Sequence, residues 1–365
     1  MKFRCERDTL AEAIGIAQRA IAVRSGALPV LSGVHVTAAD GSVTLVGSDL
    51  DLTIKVSIPA QVDDPGDAVV PAKLFDGLAT RLKAGTVTFE VEGDDARISA
   101  GPARAGVRLL PADEFPRVAA PEGTSVAVDA EPLAEALRQV IPAASRDDAR
   151  PILTGVLIMA TATGIRLVAT DSYRLGVREL EGVGMLSEGQ KVLVGARSLN
   201  EVQRVFSSGQ INVTLGDREV CFSNETRSVT TRLIEGDFPN YEQLIPSGYP
   251  NRLIVSRDAL EEAVRLMQIV GEGREGTPVR LAMSASGLEL SANAQERADA
   301  VELIDAKFEG TDLTVAFNPQ FLLDGLLAIN GDEAQIESMD PLKPATLRSV
   351  EHPEFMYLLM PVRIS

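Results

Sequence analysis

The sequence predicts an α+β protein made of three similar domains, each with two helices packed on antiparallel sheet. Three observations lead there. Amphipathic helical segments centred near Leu10, Leu133 and Leu260 recur at offsets of 123 and 127 residues. Alternating strands with a Gly-containing turn follow each of them. A second helix signal then returns at intervals of 124 residues, at Pro71, Gly195 and Pro319. Self-similarity at a fixed long period marks a repeated structural unit, and 365 residues divide by three into lengths near 122.

In the first unit the helix reads Thr9-Leu10-Ala11-Glu12-Ala13-Ile14, and Leu10, Ile14, Ala17 and Ile21 share one face. The corresponding faces are Leu133, Leu137 and Val140, then Leu260, Val264 and Met267. Pro29-Val30-Leu31, Pro151-Ile152-Leu153 and Pro278-Val279-Arg280 each lead into an alternating strand that turns at Asp40-Gly41, Thr163-Gly164 or Ser286-Gly287. These read as hairpins. A polar knot comes next: Ser48-Asp49-Leu50-Asp51, Thr170-Asp171-Ser172-Tyr173 and Ala292-Asn293-Ala294-Gln295. The second helices open at Pro71-Ala72-Lys73-Leu74, Gly195-Ala196-Arg197-Ser198-Leu199 and Asn318-Pro319-Gln320-Phe321, the last joining an Asn cap to a Pro in the first helical position. Strand pairs close each unit, at Asp113-Glu114-Phe115-Pro116, Gly236-Asp237-Phe238-Pro239 and Leu359-Met360-Pro361-Val362-Arg363. The expected domains are therefore 1–120, 125–247 and 251–365, with linkers over 119–124 and 247–251. One-sided helices and half-buried strands bury their apolar faces most simply as a helical layer on a sheet.

Composition narrows the function classes. With 45% hydrophobic and 24% charged residues the chain is globular in type. No run approaches the roughly 18 consecutive apolar residues of a membrane span. The charged start Met1-Lys2-Phe3-Arg4-Cys5-Glu6-Arg7-Asp8 lacks a signal peptide's apolar stretch, so a cytoplasmic protein is expected. Cys5 and Cys221 are too few for a disulfide framework or a cysteine zinc site and are expected as buried thiols. Four Tyr, eleven Phe and no Trp speak against stacking platforms for single-stranded nucleic acid.

Thirty-five basic against 52 acidic residues give a net charge of −17. A polyanion is repelled by such a surface unless basic side chains are segregated on one face. Basic residues do fall on or just after the helices in all three units: Arg19, Arg24, Lys73, Arg81, Lys83, Arg138, Arg146, Arg150, Arg197, Arg204, Arg257, Arg265 and Arg274. Acid gathers in strands and turns such as Asp63-Asp64, Asp94-Asp95, Glu333 and Glu337. On charge pattern alone these are equally ordinary solvated helix faces.

Met1-Lys2-Phe3, Leu28-Pro29-Val30-Leu31, Ala169-Thr170-Asp171-Ser172-Tyr173-Arg174-Leu175, Gly236-Asp237-Phe238-Pro239-Asn240-Tyr241 and Tyr357-Leu358-Leu359-Met360-Pro361-Val362-Arg363 add a family resemblance through their order and spacing. Over essentially its whole length the chain resembles the bacterial sliding clamp, the beta subunit of DNA polymerase III. The resemblance implies a DNA clamp fold, with a head-to-tail homodimer whose six domains close a ring around double-stranded DNA, helices lining the hole. It implies a non-catalytic processivity factor without cofactor or metal, opened by a clamp loader and tethering the replicative polymerase and repair proteins. Enclosure favours a few dispersed Lys and Arg contacts to phosphate over base readout. By resemblance Arg24 and the surroundings of Arg150 face DNA, and the helix pattern adds Lys73, Arg81, Arg138, Arg197 and Arg204.

The resemblance also implies a groove between the second and third domains that takes short linear peptides. The matching positions are Arg150, Leu153, Thr170, Ser172, Tyr173, Arg174, Leu175, Pro239, Gln243, Leu244, Pro344, Leu358, Met360, Pro361, Val362 and Arg363. Leu153, Leu175, Leu244, Leu358 and Met360 are its expected apolar floor, with Met suited to varied partners. Ser172-Tyr173 stands where the family often has Gly-His, and Gln243 where a basic residue can occur. For the dimer contact the matching residues are Ala105 and Val107 opposite Ile269 and Val270.

Two further functions compete on residues alone. A metal-dependent hydrolase would use Asp49, Asp51 and Asp171, the first two alternating on a strand, to hold magnesium or manganese. In the clamp those residues are turn and cap groups bonding backbone amides. His35 and His352 form no catalytic pair, and neither a nucleophile elbow nor a phosphate loop is present. A repeat scaffold that binds proteins without encircling DNA would differ only in its basic lining and its dimerisation.

Overall fold

The computed structural model describes residues 1–21, 28–116, 119, 121–246, 248–271, 277–294 and 298–363. Among them are six helices: α1 Arg7–Ala17, α2 Ala72–Arg81, α3 Ala130–Val140, α4 Ala196–Val205, α5 Arg257–Gly271 and α6 Pro319–Ala328. Leu10, Ile14 and Ala17, Leu133, Leu137 and Val140, and Leu260, Val264 and Met267 are all buried, as their spacing predicts. One feature differs: a strand precedes the first helix of every repeat, at Lys2–Glu6, Thr124–Asp129 and Asn251–Ser256. Such strands are too short to register as a pattern. In Lys2–Glu6 only Phe3 and Cys5 point inward, which is a single period of alternation.

The chain folds as two compact units, one of residues 1–131 with 204–233 and the other of residues 132–203 with 234–365. All strand pairing in both is antiparallel. The first unit holds a five-stranded sheet, in the order Gln61–Asp64, Lys2–Glu6, Thr86–Glu92, Asp95–Ala100, Ala103–Arg108. Its second sheet has eight strands and joins two repeats, because Arg227–Arg232 pairs with Leu52–Pro59, Thr231 opposite Leu52 and Arg227 opposite Val56. Phe89 is stacked on Phe3 at 5.1 Å and meets Phe75 of α2 at 5.6 Å, tying helix to sheet. The buried thiols of Cys5 and Cys221 are free. Burial pushes the Cys5 thiol up to about 12, so it stays protonated and inert.

The second unit repeats the device. A nine-stranded sheet crosses from the central to the last repeat where Arg174–Glu181 pairs with Phe355–Leu359, Leu175 opposite Leu358 and Val177 opposite Met356. A four-stranded sheet, in the order Ala298–Ile304, Gly287–Ala294, Val279–Ser284, Leu313–Phe317, supports α5. The Asn318 side chain caps α6 by accepting from the amides of Gln320 and Phe321 at 2.9 and 3.2 Å. At the other end of α6, Arg138 donates to the carbonyls of Leu327 and Ala328, and Gln139 also to Ala328. These groups satisfy carbonyls that a helix C-terminus leaves without partners. Bonded by Arg138, the Glu135 carboxyl is held below its ordinary value.

Close approach of α1 to the eight-stranded sheet depends on one glycine. A Cβ on Gly47 would lie 2.0 Å from the carbonyl oxygen of Ala17, a backbone atom that cannot swing aside. Gly47→Ala is therefore expected to destabilise the protein by about 1–3 kcal/mol or more, read as a lowered urea midpoint with an unchanged slope.

Candidate functional site

The knot Thr170-Asp171-Ser172-Tyr173 joins the strands Gly164–Thr170 and Arg174–Glu181. One oxygen of Asp171 accepts from the amides of Tyr173 and Arg174 at 2.8 and 3.0 Å, and the Thr170 hydroxyl accepts from the Ser172 amide at 3.1 Å. Ser172 is driven to φ +82°, where glycine is the unstrained residue. The first repeat builds the same turn. Asp49 accepts from the amides of Asp51 and Leu52, Ser48 from that of Leu50, and Leu50 has φ +80°. Asp49 and Asp51 thus lie in a turn and do not alternate on a strand. The Asp51 side chain faces Arg232 at 3.7 Å instead of capping an amide.

Each turn ends at a junction between repeats. The Tyr173 carbonyl accepts from the Met360 amide at 2.9 Å, and the Asp51 carbonyl from the Arg232 amide at 3.0 Å. Beyond that bond the two junctions diverge. At the second, the facing pairs are Leu175 with Leu358 and Val177 with Met356. At the first they are Thr53 with Thr230 and Lys55 with Ser228. Only the second junction therefore has an apolar floor.

Arg174 fastens the second turn from below. Its guanidinium is buried, donates to Asp171 at 2.9 Å, pairs with Asp324 of α6, reaches the Tyr357 hydroxyl at 3.3 Å and lies 4.3 Å over the ring of Phe321. Burial opposes its charge, but Tyr357 and the Asp324 and Asp171 carboxylates outweigh it and keep its pKa raised. Burial in turn pushes the Tyr357 hydroxyl up, and that hydroxyl donates to the Phe321 carbonyl at 3.1 Å. Above this network the Tyr173 ring is 60% exposed and stacked over Phe321 at 6.5 Å.

Leu175 and Leu358 are 0% and 1% exposed. They belong to one cluster with Leu157, Val168, Val177, Leu193, Tyr241 and Met356, against which Ile152, Phe238, Ile245 and Met360 pack. Of the four expected floor leucines, these two therefore form the layer beneath the surface, and Leu153 is buried beside the turn that Arg150 starts. What reaches solvent are Pro239, Gln243 and Leu244, with Pro344, Met360, Pro361 and Val362 half-buried and Arg363 exposed. Arg150 bonds Asp147 at 2.9 Å and touches the Asp171 carbonyl and Ser172 hydroxyl at 3.4 Å, so it belongs to the same turn. Tyr241, Met356, Val177 and Phe238 escaped the sequence reading. The strand register now identifies Val177 and Met356, which sit one step along the same face from Leu175 and Leu358, while Tyr241 and Phe238 reach the cluster from the loop before the turn Glu242–Leu244.

Lys73 and Arg81 on α2, and Arg197 and Arg204 on α4, are exposed. Arg138 is only partly so, since its guanidinium bonds Glu135, Asn330 and the end of α6. Arg24 lies outside the described residues. Val107 is buried in its own sheet and Ala105 is half-buried, while Ile269 is 64% exposed and Val270 half-buried. Ala103–Arg108 and Ala298–Ile304 are sheet edges. Val301 and Leu303, on the second edge, are 60% and 76% exposed, a signal that sequence reading missed.

Models of the DNA polymerase III beta subunit match this chain in three stretches: its N-terminal domain at residues 1–119, central domain at 127–240 and C-terminal domain at 242–363. The Beta sliding clamp of Streptomyces coelicolor is 36% identical, the match covering 100% of both chains. The chain belongs to the DNA polymerase III beta subunit family. Among solved structures, the DNA polymerase sliding clamp of Bacillus subtilis is 28% identical with a TM-score of 0.91. The sliding clamp of Bartonella birtlesii bound to griselimycin is 27% identical with a TM-score of 0.93, and both matches cover 100% of each chain. As a member of this family the protein is a sliding clamp, a processivity subunit of DNA polymerase with no catalytic role. The aspartates of the hydrolase reading agree with that: Asp49 and Asp171 are occupied by backbone amides, and Asp171 also by Arg174.

Removing one partner of a buried ion pair leaves the others uncompensated. Arg174→Met in this clamp is expected to lose about 3–5 kcal/mol, whereas Ser172→Gly relieves the left-handed backbone and gains about 1 kcal/mol. Urea denaturation of the two variants beside the parent checks both signs.

Proposed function

We propose that this sliding clamp, with clamp domains at 1–120, 125–247 and 251–365, closes around duplex DNA as a head-to-tail homodimer in the cytoplasm. A clamp loader opens it, and it tethers polymerase and repair proteins through short linear peptides. The observation that carries the peptide site is the second junction: an ordered turn whose Tyr173 carbonyl holds the Met360 backbone, with Met360 packed on the apolar cluster and Leu244, Pro239 and Val362 reaching solvent. An aromatic or leucine side chain of a peptide would rest on that apolar surface, with Arg150, Gln243 and Arg363 at its polar rim. The Bartonella clamp carries griselimycin, which agrees with a ligand-binding surface in this family.

Lys73, Arg81, Arg197 and Arg204, exposed on their helices, supply dispersed phosphate contacts in this reading. Arg138 instead acts by holding the end of α6. For the dimer, an unpaired edge invites a strand from another copy. We assign Ala103–Arg108 of one protomer to Ala298–Ile304 of its partner, with Ile269, Val301 and Leu303 covered on assembly. Arg104 and Arg108 on one edge and Asp299 and Glu302 on the other complement each other in charge.

Two measurements test these assignments. A labelled peptide of the Gln-Leu-Asp-Leu-Phe type should raise its fluorescence anisotropy with the parent, and Met360→Ala with Leu244→Asp should weaken binding at least tenfold; equal binding would overturn the groove. In light scattering the protein should weigh twice its 38.8 kDa chain mass, and Leu303→Asp should shift it toward one chain. A stable monomer in the parent would overturn enclosure.

A further inference from the structure

Beyond the junction, the sheet face that carries Leu175, Val177, Leu358 and Met356 continues into a cavity of about 750 Å³. Successive residues of a strand alternate sides, so Glu179 and Glu181 follow Leu175 and Val177 on this face. Tyr241, Ile245 and Pro246 wall the cavity, and Val177, Tyr241 and Met356 are shared with the cluster under the peptide surface. The cavity therefore rests on the same buried cluster as the groove and lies on the same sheet face.

Its charge is uneven. Four carboxylates, Glu179, Glu181, Glu242 and Glu354, line it against two guanidiniums, Arg166 and Arg348. Arg166 is already held, donating to Glu179 at 2.6 Å and to the Tyr241 hydroxyl at 3.3 Å, with Glu242 at 3.5 Å. Glu354 is paired with Arg178 at 3.0 Å. Glu181 is exposed and has no ion-pair partner among the described residues. With Arg178 counted beside Glu354 the local charge is −1, carried by Glu181, and a cation is the ligand feature that this carboxylate complements.

Building on the groove reading, we propose that this cavity extends the peptide site and receives a lysine or arginine flanking the apolar anchors of a partner peptide. The reach is suitable. From Leu175 to Glu181 is six residues of strand, roughly 20 Å at about 3.3 Å per residue, so an extended peptide places the basic residue four to six positions from its anchor. The aliphatic stem of such a side chain would lie along Val177, Ile245 and Met356 with its charge at Glu181, as long cationic side chains commonly do.

The test compares the bare Gln-Leu-Asp-Leu-Phe peptide with versions carrying six-residue Lys-Ser, Gly-Ser or Glu-Ser extensions, at each terminus in turn. Each is titrated against the full chain and against Glu181→Gln and Glu181→Lys. At one terminus the Lys-Ser extension should bind roughly three- to tenfold more tightly than Gly-Ser, as expected for a few rim charge pairs. The gain should shrink in Glu181→Gln, vanish in Glu181→Lys and fall with added salt, while the bare peptide binds all three proteins equally. Equal binding of the Lys-Ser and Gly-Ser versions at both termini, or a gain that survives Glu181→Lys, would overturn the extension while leaving the groove intact. Failure of the bare peptide to bind the parent would overturn the groove and this extension with it.

Discussion

Strand pairing across the junctions between repeats is the constraint on which the other features depend. A sheet that passes from one repeat to the next needs its last strand to start at a fixed residue, because a slip by one position would turn every side chain to the wrong face. The Asp171 turn sets that start. It fixes Arg174 opposite Leu359 and brings Leu175 to Leu358. The cost is a serine in the left-handed region, offset by three amide bonds into side-chain oxygens.

The buried Arg174 makes the turn rigid in a second way. Guanidinium keeps its charge across the physiological range, so its links to Asp171, Asp324, Tyr357 and Phe321 do not vary with ambient pH. The same side chain connects the turn to α6, whose far end Arg138 and Gln139 hold. The solvent-facing surface of the turn is thus supported by buried groups beneath it. Leu175 and Leu358 likewise form part of that support from beneath the accessible surface.

Much of this was legible in the sequence, and the limits have physical causes. Three-and-four spacing located the first helix of each repeat, start signals at a fixed interval located the second, and Asn318-Pro319 marked the start of α6 to the residue. The repeat period located the knots, but the period alone put Asp49 and Asp51 on a strand. Only the backbone shows that Leu50 turns the chain between them. Strands such as Lys2–Glu6 are too short to announce themselves. Arg138 looked like its neighbours on a basic helix because sequence cannot show the carbonyls 189 and 190 residues away that bind it. Leu303 passed unnoticed for a related reason: an alternating strand looks the same whether its apolar side is covered by its own chain or left bare.

The turn that occurs twice gives the molecule an internal reference. The first junction has the same Asp-centred turn, the same left-handed third residue and the same carbonyl-to-amide bond to the next repeat as the second, but threonines where the second has leucines. What the two junctions share resides in the backbone geometry of the turn, and what belongs to the second alone resides in its side chains. One molecule therefore displays, side by side, the same joint closed once by hydroxyl side chains and once by an apolar layer.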